Sequence, residues 1–115
     1  MNFAEDNKSA LETFKKGLTD RCEHINQLSM DYHNTIGKGT NSKLWLQLHY
    51  MRYELIFYIH QMCYTMLWYN FDKYPETTPD YLSKPLIDEV NKAFSIRVDS
   101  LFTTLDGLTT NLFRS

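Results

Sequence analysis

Residues 44–71 decide most of what this chain can fold into. Twenty of these 28 residues are apolar or aromatic, and only Arg52 and Glu54 carry charge. A strand usually runs ~3–10 residues, far less than this stretch. The apolar positions also repeat at three and four rather than at two, which is the period of a helix. At about 100° per residue the helix separates two apolar faces. One holds Leu44, Leu48, Met51, Leu55, Tyr58, Ile59, Met62, Met66 and Tyr69. The other holds Leu46, Tyr50, Tyr53, Phe57, Tyr64, Trp68 and Phe71. Gln47, Glu54 and Gln61 run between them, and a mixed flank carries His49, Arg52, Ile56, His60, Cys63 and Leu67. A helix with two apolar seams packs on two sides. It is therefore expected at the centre of a bundle or of an oligomer. Its longest uncharged stretch, Leu55 to Phe71, is 17 residues and is interrupted by His60, Gln61 and Asn70. Spanning a bilayer takes roughly 20 predominantly apolar residues, so no membrane partner is expected.

The flanking segments bring one stripe each. Leu11, Phe14, Leu18, Cys22, Ile25, Leu28, Tyr32 and Ile36 follow one another at gaps of three and four, with Gly17 a weak point among them. Gly37-Lys38-Gly39 is the expected stop, and Asn41 or Ser42 the expected cap of the next helix. Tyr74-Pro75 to Pro79 forms a break. Ser83 then reads as an N-cap, with Pro85 in the first turn of a third helix. The stripe of that helix is Leu86, Val90, Phe94, Val98, Leu101, Leu105, Leu108 and Leu112, and Asp106-Gly107 is a candidate kink or end. The expectation is one all-α domain over residues 1–115, with helices at about 3–36, 43–72 and 84–113. These would form an up-down-up three-helix bundle of long helices, completed by oligomerisation.

Charge and composition remove several functions. Twelve Lys and Arg against 14 Asp and Glu give a net charge of −2, without the basic footprint of a nucleic-acid binder. Cys22 and Cys63 both sit in helical patterns, which suits reduced thiols in a cytoplasmic protein. The first residues, Met1-Asn2-Phe3-Ala4-Glu5-Asp6, lack the basic and apolar regions of a signal peptide. His60 and Cys63 share a helix face, as do Asp20 and His24. Each is only a pair, whereas zinc takes three or four ligands. Gly37-Lys38-Gly39-Thr40 lacks the spacing of a phosphate-binding loop. No metal, cofactor or catalytic set is expected, and the chain reads as a non-enzyme.

Aromatic residues make up 15% of the chain, and large aromatics are favoured where surfaces associate. The candidate site is accordingly the aromatic face of the central helix, Tyr50, Tyr53, Phe57, Tyr64 and Trp68, edged by His49, Arg52 and His60. Plain core against a neighbouring helix is the competing reading. Five tyrosines on one helix favour a wet surface, because buried hydroxyls need partners. Such a face can anchor a protein as a hot spot, or stack a planar group while Arg and His neutralise an anion. The sequence thus points to a homo-oligomer, a dimer or larger, that binds a protein partner. The alternative is a helical sensor holding a small planar or anionic molecule.

Overall fold

In the first segment, the stripe spaced at three and four becomes the buried side of a long helix. The computed structural model describes residues 3–35, 41–69, 79–92 and 96–111, with the side chains of 3, 4, 41, 68, 69 and 111 left undescribed. Five helices follow in chain order: α1 Phe3–Asp6, α2 Lys8–Asn34, α3 Asn41–Tyr69, α4 Pro79–Asn91 and α5 Val98–Asn111. The molecule is an all-helical bundle measuring 55 × 21 × 19 Å. The expected glycine stop at 37–39, the break at 74–78 and the stripe positions Ile36, Phe71, Phe94 and Leu112 lie outside the described residues.

Helices α2 and α3 are antiparallel. Tyr58 of α3 reaches Phe14 of α2, Glu54 faces Arg21, and Met51 lies near His24. Leu11, Phe14, Leu18, Cys22 and Ile25 are buried from α2. Leu48, Leu55, Ile59 and Met66 are buried from α3. These are the α2 stripe and the aliphatic seam of α3, joined into one core. Gly17 has a structural reason. A Cβ there would collide with the Tyr58 hydroxyl and ring, which pack over the α2 backbone. The Tyr58 hydroxyl donates to the carbonyls of Thr13 and Phe14, and the Arg21 guanidinium lies 3.7 Å from the Tyr58 ring centre. The absent side chain therefore admits a hydrogen-bonded, cation-stacked tyrosine between the two long helices.

The third segment departs from expectation. A single helix over 84–113 is replaced by α4 and α5, a hairpin of two shorter ones. Asn26 of α2 is the physical cause that can be identified. Its amide donates to the Ile96 carbonyl at 2.9 Å and accepts from the Ile96 N–H at 2.8 Å. That side chain satisfies the backbone groups a continuous helix would have paired along its own axis. Ile96 itself is buried. Beyond it α5 runs back along α2, since Lys15 pairs with Asp106 at 2.8 Å and its ammonium lies 5.4 Å from the Phe102 ring centre. Thr104 of α5 donates to Glu89 of α4 at 2.7 Å, closing the hairpin. Helix α4 begins at Pro79, so Ser83 is not a cap but a fully buried residue one turn in. Helix α1 is a single turn, separated from α2 at Asn7.

Gly107 neither kinks nor ends α5, which runs through it to Asn111. A Cβ added there meets nothing within 4 Å. Gly107→Ala is therefore expected to stabilise the protein by about 0.5–1 kcal/mol, through helix propensity alone. Urea unfolding of the variant beside the parent checks it, and an unchanged or lower midpoint would contradict the regular helix at this position.

Candidate functional site

Helix α3 is covered on two sides, but not on the two sides that its apolar faces suggest. α2 covers the aliphatic seam. α4 covers the mixed flank, where Cys63 and Leu67 are buried and Ile56 is half-buried. The aromatic face is left outside. Tyr50 and Tyr53 are each 70% exposed, Phe57 67%, Leu46 62% and Tyr64 46%. At 100° per residue these five positions fall within an arc of about 60°. They extend about 27 Å along the helix at 1.5 Å per residue. Among the described residues no helix of the same chain covers these side chains.

The patch is large for a helix of this size. Taking ~200 Å² for a large aromatic, the exposed parts of the five side chains amount to on the order of 600 Å². That is at the upper end of what the largest apolar patch on a monomeric protein presents, ~300–600 Å². None of the five carries a charge. His60 lies exposed at the margin of the row, its ring 4.9 Å from that of Tyr64. The Trp68 side chain, the remaining aromatic of the expected site, is outside the described residues.

Two expected members sit elsewhere. His49 and Arg52 line a small depression of about 220 Å³ with Tyr53, Ile56 and Asn91, at the seam between α3 and α4. His49 is half-buried and its ring lies 4.1 Å from that of Trp45. Arg52 donates from Nη2 to the Val90 carbonyl at 2.8 Å. A cation at the last turn of a helix meets both an orphan carbonyl and the negative end of the helix dipole. Arg52 thus fastens α4 to α3, where the sequence suggested a cation at the edge of the aromatic face. Helical period places Arg52 on the flank beside the aromatic face, about 100° from Tyr53, but does not say that another helix will cover that flank.

The sequence reading missed a groove between α2 and α3, of about 450 Å³, lined by His24, Leu28, Leu46, Gln47, Tyr50 and Met51. Leu46 and Tyr50 belong to both groove and row, so the two surfaces are continuous. The sequence carries a signal for Leu46, which shares the arc of the aromatics. Leu28 belongs to the α2 stripe, but the sequence carries no signal for His24, which joins only because the two helices are antiparallel in this register.

The remaining chemistry is quiet. Burial pushes the Cys22 thiol up to about 11 and the Cys63 thiol up to about 12, from an ordinary value near 9. Both thiols are free and buried, and the thiolate is the reactive form. Neither should react with iodoacetamide at pH 8 in the folded protein, and both should react in denaturant, as counted by mass spectrometry. Unfolded thiols ionise from about pH 9 while the folded ones stay protonated, so stability falls as pH rises through this window. Modification of either thiol under native conditions would place it at the surface.

Among the described residues no three His, Cys, Asp or Glu side chains converge on a point that could hold a metal, and no helix is long and apolar enough to cross a membrane. No protein-family model, curated protein or solved structure matches the chain.

Proposed function

We propose that the protein is a non-enzymatic interaction module that works by associating with itself and with a protein partner through α3. One observation carries this reading: Leu46, Tyr50, Tyr53, Phe57 and Tyr64 form an uncharged and exposed row on one helix face. Tyrosine and phenylalanine are over-represented in the cores of interfaces, where they supply contact area at little cost in conformational entropy. The tyrosine hydroxyls keep such a face wettable before its partner arrives. The bundle is then completed by association, with the aromatic side of α3, the one that α2 and α4 leave open, covered by another chain. Two free, buried thiols suit a reducing compartment, the cytoplasm, as its place of work.

The ligand-binding alternative draws on the groove beside His24 and Tyr50, whose volume falls in the ~300–1,000 Å³ typical of small-molecule sites. It is the weaker reading, because the cation assigned to it, Arg52, is engaged by α4. Native mass spectrometry with light scattering tests both. A dimer or larger, free of bound small molecules, is the expected result. A strict monomer that retains a small molecule would replace the association reading with the alternative.

A further inference from the structure

The exposed row has a symmetry that says how two copies would meet. Residue numbers in an antiparallel pair of identical helices add to a constant across the two-fold axis. With that constant set at 110, Tyr53 faces Phe57, Tyr50 faces His60 and Leu46 faces Tyr64, each combination occurring twice. Every residue of the row then has another exposed side chain of the row or its margin opposite it. Closed homodimers need this self-complementarity, because a two-fold interface uses the same patch on both subunits.

We infer that the occupant of the aromatic face is a second copy of this chain, laid antiparallel along α3 about a two-fold axis level with residue 55. This rests on the reading of the row as an association surface and adds its partner, direction and register. Three observations support it. The row itself carries no charge, and Glu54, which lies beside it near the axis, is paired within its own chain with Arg21 at 3.8 Å. At on the order of 600 Å² exposed on each copy, the pair removes up to about 1,200 Å² from water when the whole row is covered, the lower bound for a stable specific interface. The groove beside Leu46 and Tyr50 lies where Tyr64 and His60 would arrive across the axis, which gives the two ends of the row a recess to fill. Tyr50 and His60 can share a hydrogen bond there, and the Tyr53–Phe57 combinations are aromatic pairs at the centre.

Cysteine cross-linking in the full-length chain reads the register directly. Leu46→Cys and Tyr64→Cys both replace exposed residues, and the native thiols are buried and protonated at neutral pH. Under mild oxidation an equal mixture of the two variants should give a disulfide-linked dimer. Each variant alone should give at least about ten-fold less, since like positions would lie roughly 27 Å apart and a disulfide needs Cα atoms within ~7 Å. Tyr50→Cys mixed with His60→Cys is a second pair with the same logic, in case loss of Leu46 or Tyr64 weakens the dimer. Light scattering of the parent separates the possible failures. If the parent is a dimer but each variant cross-links to itself as readily as in the mixture, the antiparallel register is overturned while association through the row stands. If it is a dimer and neither mixture cross-links, the register is likewise overturned. If the parent is monomeric at 100 µM, a concentration on the order of 100 times the Kd of a micromolar dimer, the register and the self-association reading fall together.

Discussion

Leu55→Ala should cost the fold roughly 2–5 kcal/mol. Leu55 is completely buried halfway along α3, and it shares one core with Leu48 and Ile59 of the same helix and with the buried stripe of α2. Truncation removes the transfer free energy of the lost methyl and methylene groups and leaves a void among side chains that cannot close it without moving two helices. α3 is held by α2 through Tyr58 and by α4 through Arg52, so little collapse is available and the cost should fall in the upper half of the range. Urea unfolding at one fixed protein concentration measures it, because association would otherwise shift the midpoint by mass action. A loss below about 0.5 kcal/mol, the range of surface substitutions, would place the aliphatic seam outside the core.

The burial of Leu55 was legible in the sequence for a simple reason. Apolar residues spaced at three and four over more than seven turns leave one way to form a helix, and the α2 stripe supplies a face of matching length. The aromatic row was legible as a set for the same reason. Which side of α3 the third segment would cover was not legible. The aromatic face is the more apolar by composition, yet α4 docks on the mixed flank, where Cys63, Leu67 and Ile56 join the same core as Leu82, Leu86 and Val90 of α4 and where Arg52 meets the end of α4. That choice depends on where α4 enters, and local period does not encode it. The bend between α4 and α5 was hidden likewise. Its pin is Asn26, 70 residues away, a polar side chain that in isolation reads as one more solvated position on α2. The Ser83 assignment failed because a serine before Lys84 and Pro85 has the local signature of a cap, while the helix begins a turn earlier at Pro79.

Replacing Tyr53 and Phe57 together by alanine should abolish self-association and leave the monomer fold nearly untouched. Both side chains are about two-thirds exposed or more, and alanine is the best helix former, so each change should alter folding by less than about 0.5 kcal/mol. At the centre of an interface, aromatic hot spots typically cost 2 kcal/mol or more each on truncation, about 30-fold in Kd apiece. Each residue occurs twice across the two-fold axis, so the double variant should dissociate at least about a thousand-fold more readily and run as a monomer at micromolar concentration. Arg52→Ala should behave in the opposite sense. It removes a charge-assisted hydrogen bond to the last turn of α4 and should lower folding stability by about 1.5–3 kcal/mol. Its stability loss should weaken little with added salt, because a hydrogen bond at a partly buried site is screened less than an exposed charge pair. The two variants, each followed by urea unfolding and by light scattering, separate surface from scaffold. Suppose the aromatic pair unfolds much earlier and any folded fraction keeps the parental mass. The row would then be packing in the folded chain despite its exposure, and association would have to be sought on another face. Suppose instead that the mass drops to one chain while the unfolding midpoint of the monomer is unchanged. Association would then reside in side chains that the fold does not need, which is what distinguishes a working surface from the core beneath it.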